Sequence, residues 1–240
     1  MESRLPDYGT DGDPTAMLLS LIAFVIVDAI LFLIHSQVFK VLACLVLASG
    51  MAFLSFVFWH VLYIKFGKLR HRDAILSLVE WKGNETVLDV GTGRGLLLIG
   101  AAKMLGKGKA IGIDIWRRQD MAGNGPEGVL LNAKLEGVSD KIEVREEDIR
   151  KTSFPPDFFD VVLSNLCLHN IPSIEGREAA CREIARVMKP SGVAIISDGF
   201  HTNDYLAAFT KEGMEGKIIK GKFLSKSFWL HTVVAVKNVR

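Results

Sequence analysis

Thr86-Val87-Leu88-Asp89-Val90-Gly91-Thr92-Gly93-Arg94-Gly95 decides how this chain is read. An apolar, β-branched run ends on an acidic residue. Three glycines then alternate before a helical segment opens at Leu96. That order, strand, tight turn and helix start, builds a nucleotide-type pocket at the carboxyl end of a parallel strand. Glycine lets the main chain take positive φ and approach a ligand with no Cβ in the way. The helix start behind it offers unpaired N–H groups and a partial positive charge to an anionic group.

Working outward, the chain alternates strand and helix on both sides of this stretch. A short amphipathic helix is expected at Asp73–Val79 before it. After it come a helix over Leu96–Leu105, a strand over Ala110–Ile115 and a helix over Glu127–Glu136. Further strands are expected at Ile142–Arg145, Asp160–Ser164 and Val193–Ser197, with a helix from Arg177 to Met188 that stops before Pro190. A short helix at Tyr205–Lys211 is followed by two strands, Lys217–Phe223 and Leu230–Val236, with no helix between them. Apolar strands in regular alternation with helices predict an α/β fold, a doubly wound, seven-stranded and mostly parallel sheet. The terminal hairpin makes one strand antiparallel.

Five stretches of residues 70–240 resemble class I S-adenosylmethionine-dependent methyltransferases, in order and spacing. They are Val87–Gly95, Ile111-Gly112-Ile113-Asp114, Glu147-Asp148-Ile149, Phe159–Asn165 and Ala185–Gly192. The resemblance implies S-adenosylmethionine as cofactor, bound by Asp89, Gly91, Thr92, Gly93, Gly95, Asp114, Ile115, Asp148, Ile149 and Asn165. Asp114 would take both ribose hydroxyls, because a carboxylate at a strand end can accept two hydrogen bonds from a vicinal diol. Asp148 would accept from the adenine amine, and Ile115 and Ile149 could pack on the purine faces. Asp89 and Asp148 can also be read as ordinary turn or cap residues.

Asn165 and His169 are the side chains expected to face the transferred methyl, and both are candidate catalytic residues. Methyl transfer from a sulfonium draws much of its rate from positioning. A base is needed only where the acceptor loses a proton. His169 suits that role, or a packing or capping role in the loop after the fourth strand. His201 is a weaker candidate, and Cys167 reads as a small apolar residue. No metal site is expected. The loop Trp116–Pro126 reads as a cover over the cofactor.

Two competing enzyme classes fit these residues less well. A hydride-transferring dinucleotide enzyme needs G-x-G-x-x-G/A, but the third small residue's position is Leu96 and the glycine falls at Gly95. Nucleic-acid amino methyltransferases with an Asn-Pro-Pro-Tyr motif are disfavoured, since Asn165 is followed by Leu166-Cys167-Leu168. The net charge of +2 also gives no field for nucleic acid. A non-catalytic sensor or scaffold that keeps the cofactor pocket is the remaining alternative.

Hydrophobic residues make up 49% of the 240, and the excess lies before residue 65. Residues 1–16 read as an acidic tail and 17–64 as a transmembrane helical hairpin, with spans at 17–34 and 41–64. Asp28 costs the first span roughly 2.5–3.5 kcal/mol, against roughly −4 to −8 from its Leu, Ile, Phe and Val residues. Insertion wins, with Asp28 protonated or turned toward the partner helix. A signal peptide fits badly with the acidic leader, and a buried hairpin in a soluble domain is the alternative. Lys65, Lys68, Arg70 and Arg72 follow the second span, so the positive-inside rule predicts an integral membrane protein with residues 70–240 cytoplasmic. The acceptor is expected to be a small molecule or lipid, with a membrane-protein partner as the other option. Lys217, Lys220, Lys222 and Lys226 among Ile218, Ile219, Phe223, Phe228 and Trp229 read either as a membrane-facing surface or as a solvated strand face. Cys44, Cys167 and Cys181 have neither metal spacing nor an even count, which suggests a reducing compartment.

Overall fold

The structure is a computed structural model that describes residues 19–27, 37–62, 67–117, 125–221 and 230–239. It divides into two compact units, residues 10–67 and 68–240.

In the first unit, residues 19–27 are helical (α1) and a long helix follows, α2 (Gln37–Leu62). Lys40–Trp59 within α2 has a mean hydropathy of 2.4 and is 11% buried. It is the one helix among the described residues that is long and apolar enough to cross a membrane, where the sequence reading expects two. The two helices touch at a small residue: a Cβ on Gly50 would lie 2.1 Å from the Phe24 ring. Close backbone approach at small residues is how helices pair when water supplies no driving force. α2 begins at Gln37, four residues before the expected start, because Gln37-Val38-Phe39-Lys40 holds no helix breaker. Asp28 and the tail lie outside the described residues.

The second unit opens with α3 (Lys68–Leu76), then β1 (Thr86–Val90), α4 (Leu96–Met104), β2 (Lys109–Asp114), α5 (Pro126–Leu135) and β3 (Ile142–Glu146). It continues through β4 (Phe159–Asn165), α6 (Ile174–Val187), β5 (Met188–Asp198), α7 (Thr202–Lys211), β6 (Met214–Ile219) and β7 (His231–Lys237). The sheet order is β3-β2-β1-β4-β5-β7-β6. β1 to β5 pair in parallel, and β7 runs antiparallel to both β5 and β6. One strand is therefore reversed, as the helix-free ending predicts. Strand order turns back between β1 and β4, so a crevice is expected at the carboxyl ends of those two strands.

Side chains alternate across the sheet with period two. Leu88, Val90, Val162 and Ile196 pack with Cys181 and Ile184 of α6 and Phe209 of α7. Val87, Val161, Leu163 and Ile195 pack on the other face with Ile75 of α3 and Leu98 of α4. Ser173 caps α6 by accepting from Gly176 N–H at 3.0 Å.

Several boundaries move. α3 starts at Lys68 rather than Asp73 and ends at Leu76, with Trp81 Nε1 donating to the Leu76 carbonyl. β5 begins at Met188 rather than Val193 and takes in Pro190. Its pairing with β4 shifts register between Phe159 and Val161, an irregularity where a strand tolerates proline. Lys237 reaches from β7 to the Ala185 and Met188 carbonyls, at 2.8 and 2.6 Å, and so satisfies the end of α6 with no intervening loop. β6 is Met214–Ile219 rather than Lys217–Phe223. Lys217 is exposed, while Ile218 packs on the core. Lys222, Phe223, Lys226, Phe228, Trp229 and most of the expected covering loop (118–124) lie outside the described residues. Cys44, Cys167 and Cys181 are joined by no disulfide.

Candidate functional site

The glycine stretch is a turn pinned from below. Gly91 and Thr92 N–H donate to the Ile113 carbonyl, at 2.9 and 3.1 Å, which ties the loop to the end of β2. Gly91, Gly93 and Gly95 take φ of 70°, 49° and 86°. Gly91 is needed twice over, since a Cβ there would also lie 2.2 Å from Cys167 Sγ. Gly95 sits at the start of α4 in a left-handed conformation, against Val129.

Asp89 lies beneath the turn, 2% exposed. Its Oδ2 accepts from Thr92 Oγ1 at 2.8 Å and from Leu98 N–H at 3.0 Å, so one carboxylate holds both the loop and the first turn of α4. Burial, with a smaller push from the Asp114 charge, raises its pKa to about 7. Of the expected cofactor residues, Asp89 and Thr92 are turned inward. They shape the loop, whose Gly91, Thr92, Gly93 and Gly95 N–H groups are bonded to Ile113, Asp114 and Thr92 within the protein.

Asp114 ends β2 in the crevice. Its Oδ2 accepts from Gly93 N–H at 2.9 Å and its Oδ1 from Trp116 N–H at 2.8 Å. Each oxygen keeps a lone pair, so the carboxylate can still take a vicinal diol. Ile115 is 42% exposed beside it, whereas Ile149 is 6% exposed and belongs to the core. The Asp148 loop is brought close by Glu147 N–H, which donates to the Asp114 carbonyl at 3.2 Å. Asp148 is bonded to Arg150, which holds its pKa below the usual carboxylate range.

At the other side of the crevice, Asn165 ends β4 with its Oδ1 3.1 Å from His71 Nε2. The same nitrogen lies 2.8 Å from Ser197 Oγ at the end of β5. His71 belongs to α3 and is 8% exposed, and burial lowers its pKa to about 4, so it is neutral at pH 7. Sequence reasoning missed it. It lies among Arg70, Arg72 and Lys68, charges that read as a membrane-flanking cluster, and nothing local ties it to residues 94 and 126 positions away.

His169 stands in a single 3₁₀ turn, Leu168–Asn170. Its Nδ1 lies 2.8 Å from Asp198 Oδ1, and its main-chain N–H donates to Asp198 Oδ2 at 3.1 Å. Asp198 is fully buried and also accepts from Gly199 N–H and the Tyr205 hydroxyl. A carboxylate beside Nδ1 can hold the ring and leave Nε2 as the basic nitrogen, one of the arrangements in which a histidine serves as a base. Asp198 is a second residue the sequence did not single out by role. His201 pairs instead with Asp204, 3.3 Å away at the start of α7. Among the described residues no group of three or more His, Cys, Asp or Glu could hold a metal ion.

Residues 88–196 match a family described as a methyltransferase domain. A ribosomal protein L11 methyltransferase from Syntrophotalea carbinolica is 31% identical over 151 residues, covering 62% of this chain and 44% of its own. The sterol 4-C-methyltransferase strm-1 of Caenorhabditis elegans is 29% identical over 154 residues, covering 61% and 43%. The chain spans about half the length of the curated relatives it matches. Among solved structures, an S-adenosylmethionine-dependent methyltransferase from Aquifex aeolicus superposes with a TM-score of 0.55 at 20% identity, covering 69% of this chain and 88% of that one. The [4+2]-cyclase SpnF superposes at 0.59 and 17%, covering 72% and 81%. These two share the fold.

S-adenosylmethionine is the cofactor named for the Aquifex aeolicus neighbour. The donor set fits it: a turn of three glycines for close approach, the Asp114 carboxylate for a diol, and exposed Ile115 for a purine face.

Proposed function

We propose that this chain is a membrane-anchored enzyme that moves a methyl group from S-adenosylmethionine to a small or lipophilic acceptor at the membrane surface. The observation that carries the transfer is the pairing of two crevice walls on one sheet edge. On one side the Asp89-braced glycine turn faces Asp114, and on the other stand Asn165 and the Asp198–His169 pair. S-adenosylmethionine supplies an electrophilic methyl group. Asn165, fixed by His71, orients what approaches the crevice, and His169 Nε2 can take a proton from a hydroxyl or amine acceptor as it attacks.

A nearly unburied apolar helix, α2, supports the membrane location, since the core helix of a soluble protein would be mostly buried. Five residues, 63–67, separate α2 from α3, so the catalytic domain is held near the bilayer. The basic residues that follow α2 favour a cytoplasmic domain. Sterol methyltransferases among the relatives favour a lipophilic acceptor. Ribosomal protein L11 methyltransferases among them favour a protein acceptor as the second reading.

The test incubates the full chain and membrane extract with methyl-labelled S-adenosylmethionine. Label is expected in the solvent-extractable fraction. Label confined to protein would replace the lipophilic acceptor by the second reading, and cofactor binding with no turnover would make the chain a sensor. Release of the protein from membranes by alkaline carbonate would refute the anchor.

A further inference from the structure

A cavity of about 300 Å³ opens between α3 and the ends of β6 and β7. Ala74 and Ile75 line it from the helix, Leu78 from the turn after it, and Ile219 and Leu230 from the hairpin. His71 closes its buried end, while Leu78, 38% exposed, stands toward solvent. β6 points the same way as the five parallel strands, being antiparallel to β7, which is itself antiparallel to β5. Ile219 at its carboxyl end is therefore on the same sheet edge as Asn165 and Ser197. The imidazole that walls the cavity is also the one bonded to both of those side chains.

From this arrangement we infer that the cavity is the acceptor's binding pocket, that it takes a small lipophilic molecule with one hydrogen-bonding head, and that His71 is the positioning residue that sets Asn165 at its inner end. The inference rests on the methyl-transfer reading above. The volume lies at the low end of the range for small-molecule sites, about 300–1,000 Å³, which suits a ring or a short chain. Walls of alanine, isoleucine and leucine reward apolar surface, and the polar groups gather where the head would reach, at His71 and Thr232. Burial keeps His71 neutral, so the inner end offers hydrogen bonding without charge and favours an uncharged head. Lys220, exposed, stands at the rim.

The experiment uses the full chain in lipid nanodiscs saturated with S-adenosylhomocysteine and photolabels it with a diazirine-bearing alkylphenol. Label is expected on peptides holding Ala74–Leu78 and Ile219–Gly221. Ala74→Trp fills the cavity from an exposed helix position. It should cut that label at least ten-fold and leave S-adenosylhomocysteine affinity within two-fold. Label found elsewhere, or undiminished by Ala74→Trp, overturns the pocket. Failure of the unaltered protein to bind S-adenosylhomocysteine is a separate result, and refutes the methyl-transfer reading itself.

For His71, label transfer to the membrane-extract fraction is followed with varied donor. His71→Ala should lower kcat at least ten-fold with the donor KM unchanged, and His71→Gln, which can still bond Asn165, should restore part of it. An unchanged kcat, or equal loss in both variants, overturns the positioning role.

Discussion

Replacing Asp89 by asparagine should change how stability depends on pH more than it changes stability itself. The carboxylate is 2% exposed and bonded to Thr92 and Leu98. Its pKa rises from 3.8 to about 7, mainly through burial. The folded protein therefore holds a proton that the unfolded chain has released, and stability falls as pH climbs from about 4 to 7. Three pKa units correspond to roughly 4 kcal/mol. His71 does the opposite, its pKa lowered from 6.5 to about 4, so stability rises across that window by roughly 3 kcal/mol. In the unaltered protein the two nearly cancel below pH 6.5. The asparagine side chain keeps a carbonyl oxygen for both hydrogen bonds but cannot ionise. Asp89→Asn should then expose the His71 contribution, with stability rising between pH 4 and 6.5 and flat above. Its advantage over the unaltered chain should grow by roughly 4 kcal/mol from pH 4 to 8, about 2 M in urea midpoint. Pulse proteolysis in urea, on the full chain in detergent micelles, measures this. A difference between the two proteins that does not vary with pH would refute the claim that Asp89 is buried with its proton.

Asp114→Ala should weaken S-adenosylmethionine binding by about 1.5–3 kcal/mol in calorimetry, through the lost diol contact and the released Gly93 and Trp116 N–H groups. Unchanged affinity would mean that the ribose is not held at β2. Gly91→Ala should destabilise the fold by about 1–3 kcal/mol, from a contact with Cys167 and a left-handed φ. Adding Cys167→Ala should recover only part of this, because it removes the Sγ while the Cβ of residue 167 still lies 2.5 Å from the new methyl and the backbone strain of about 1 kcal/mol persists, as denaturant midpoints would report. His169→Gln should cut turnover of an acceptor that loses a proton by about 10²–10⁴-fold with donor affinity unchanged, and Asp198→Asn should act in the same direction. A fall in donor affinity instead would make the pair structural.

The cofactor wall was legible because its chemistry is local. One strand, three glycines and an acid at the end of the next strand are a pattern that any partner element must respect, and Asp114 does meet Gly93. The acceptor wall was not, because it is assembled from afar. His71 finds Asn165 and Ser197 only after α3 folds across the sheet, and Asp198 meets His169 across 29 residues. Boundaries failed for related reasons. β6 starts at Met214-Glu215-Gly216, which has no strand pattern, and its register comes from β7, with Gly216 opposite Ala235. Pro190 reads as a stop, yet the register shift between β4 and β5 gives it a place inside a strand.

β7 follows β6 in the chain but lies between it and β5 in the sheet. During synthesis, Met214–Ile219 have no strand to join until residues 231–237 emerge, and β5 keeps an open edge meanwhile. A nascent chain released before residue 231 would already contain the glycine turn, Asp114, Asn165 and the Asp198–His169 pair. It would lack the wall opposite α3, so the order of translation lets this protein acquire its donor side before it has anywhere to seat an acceptor.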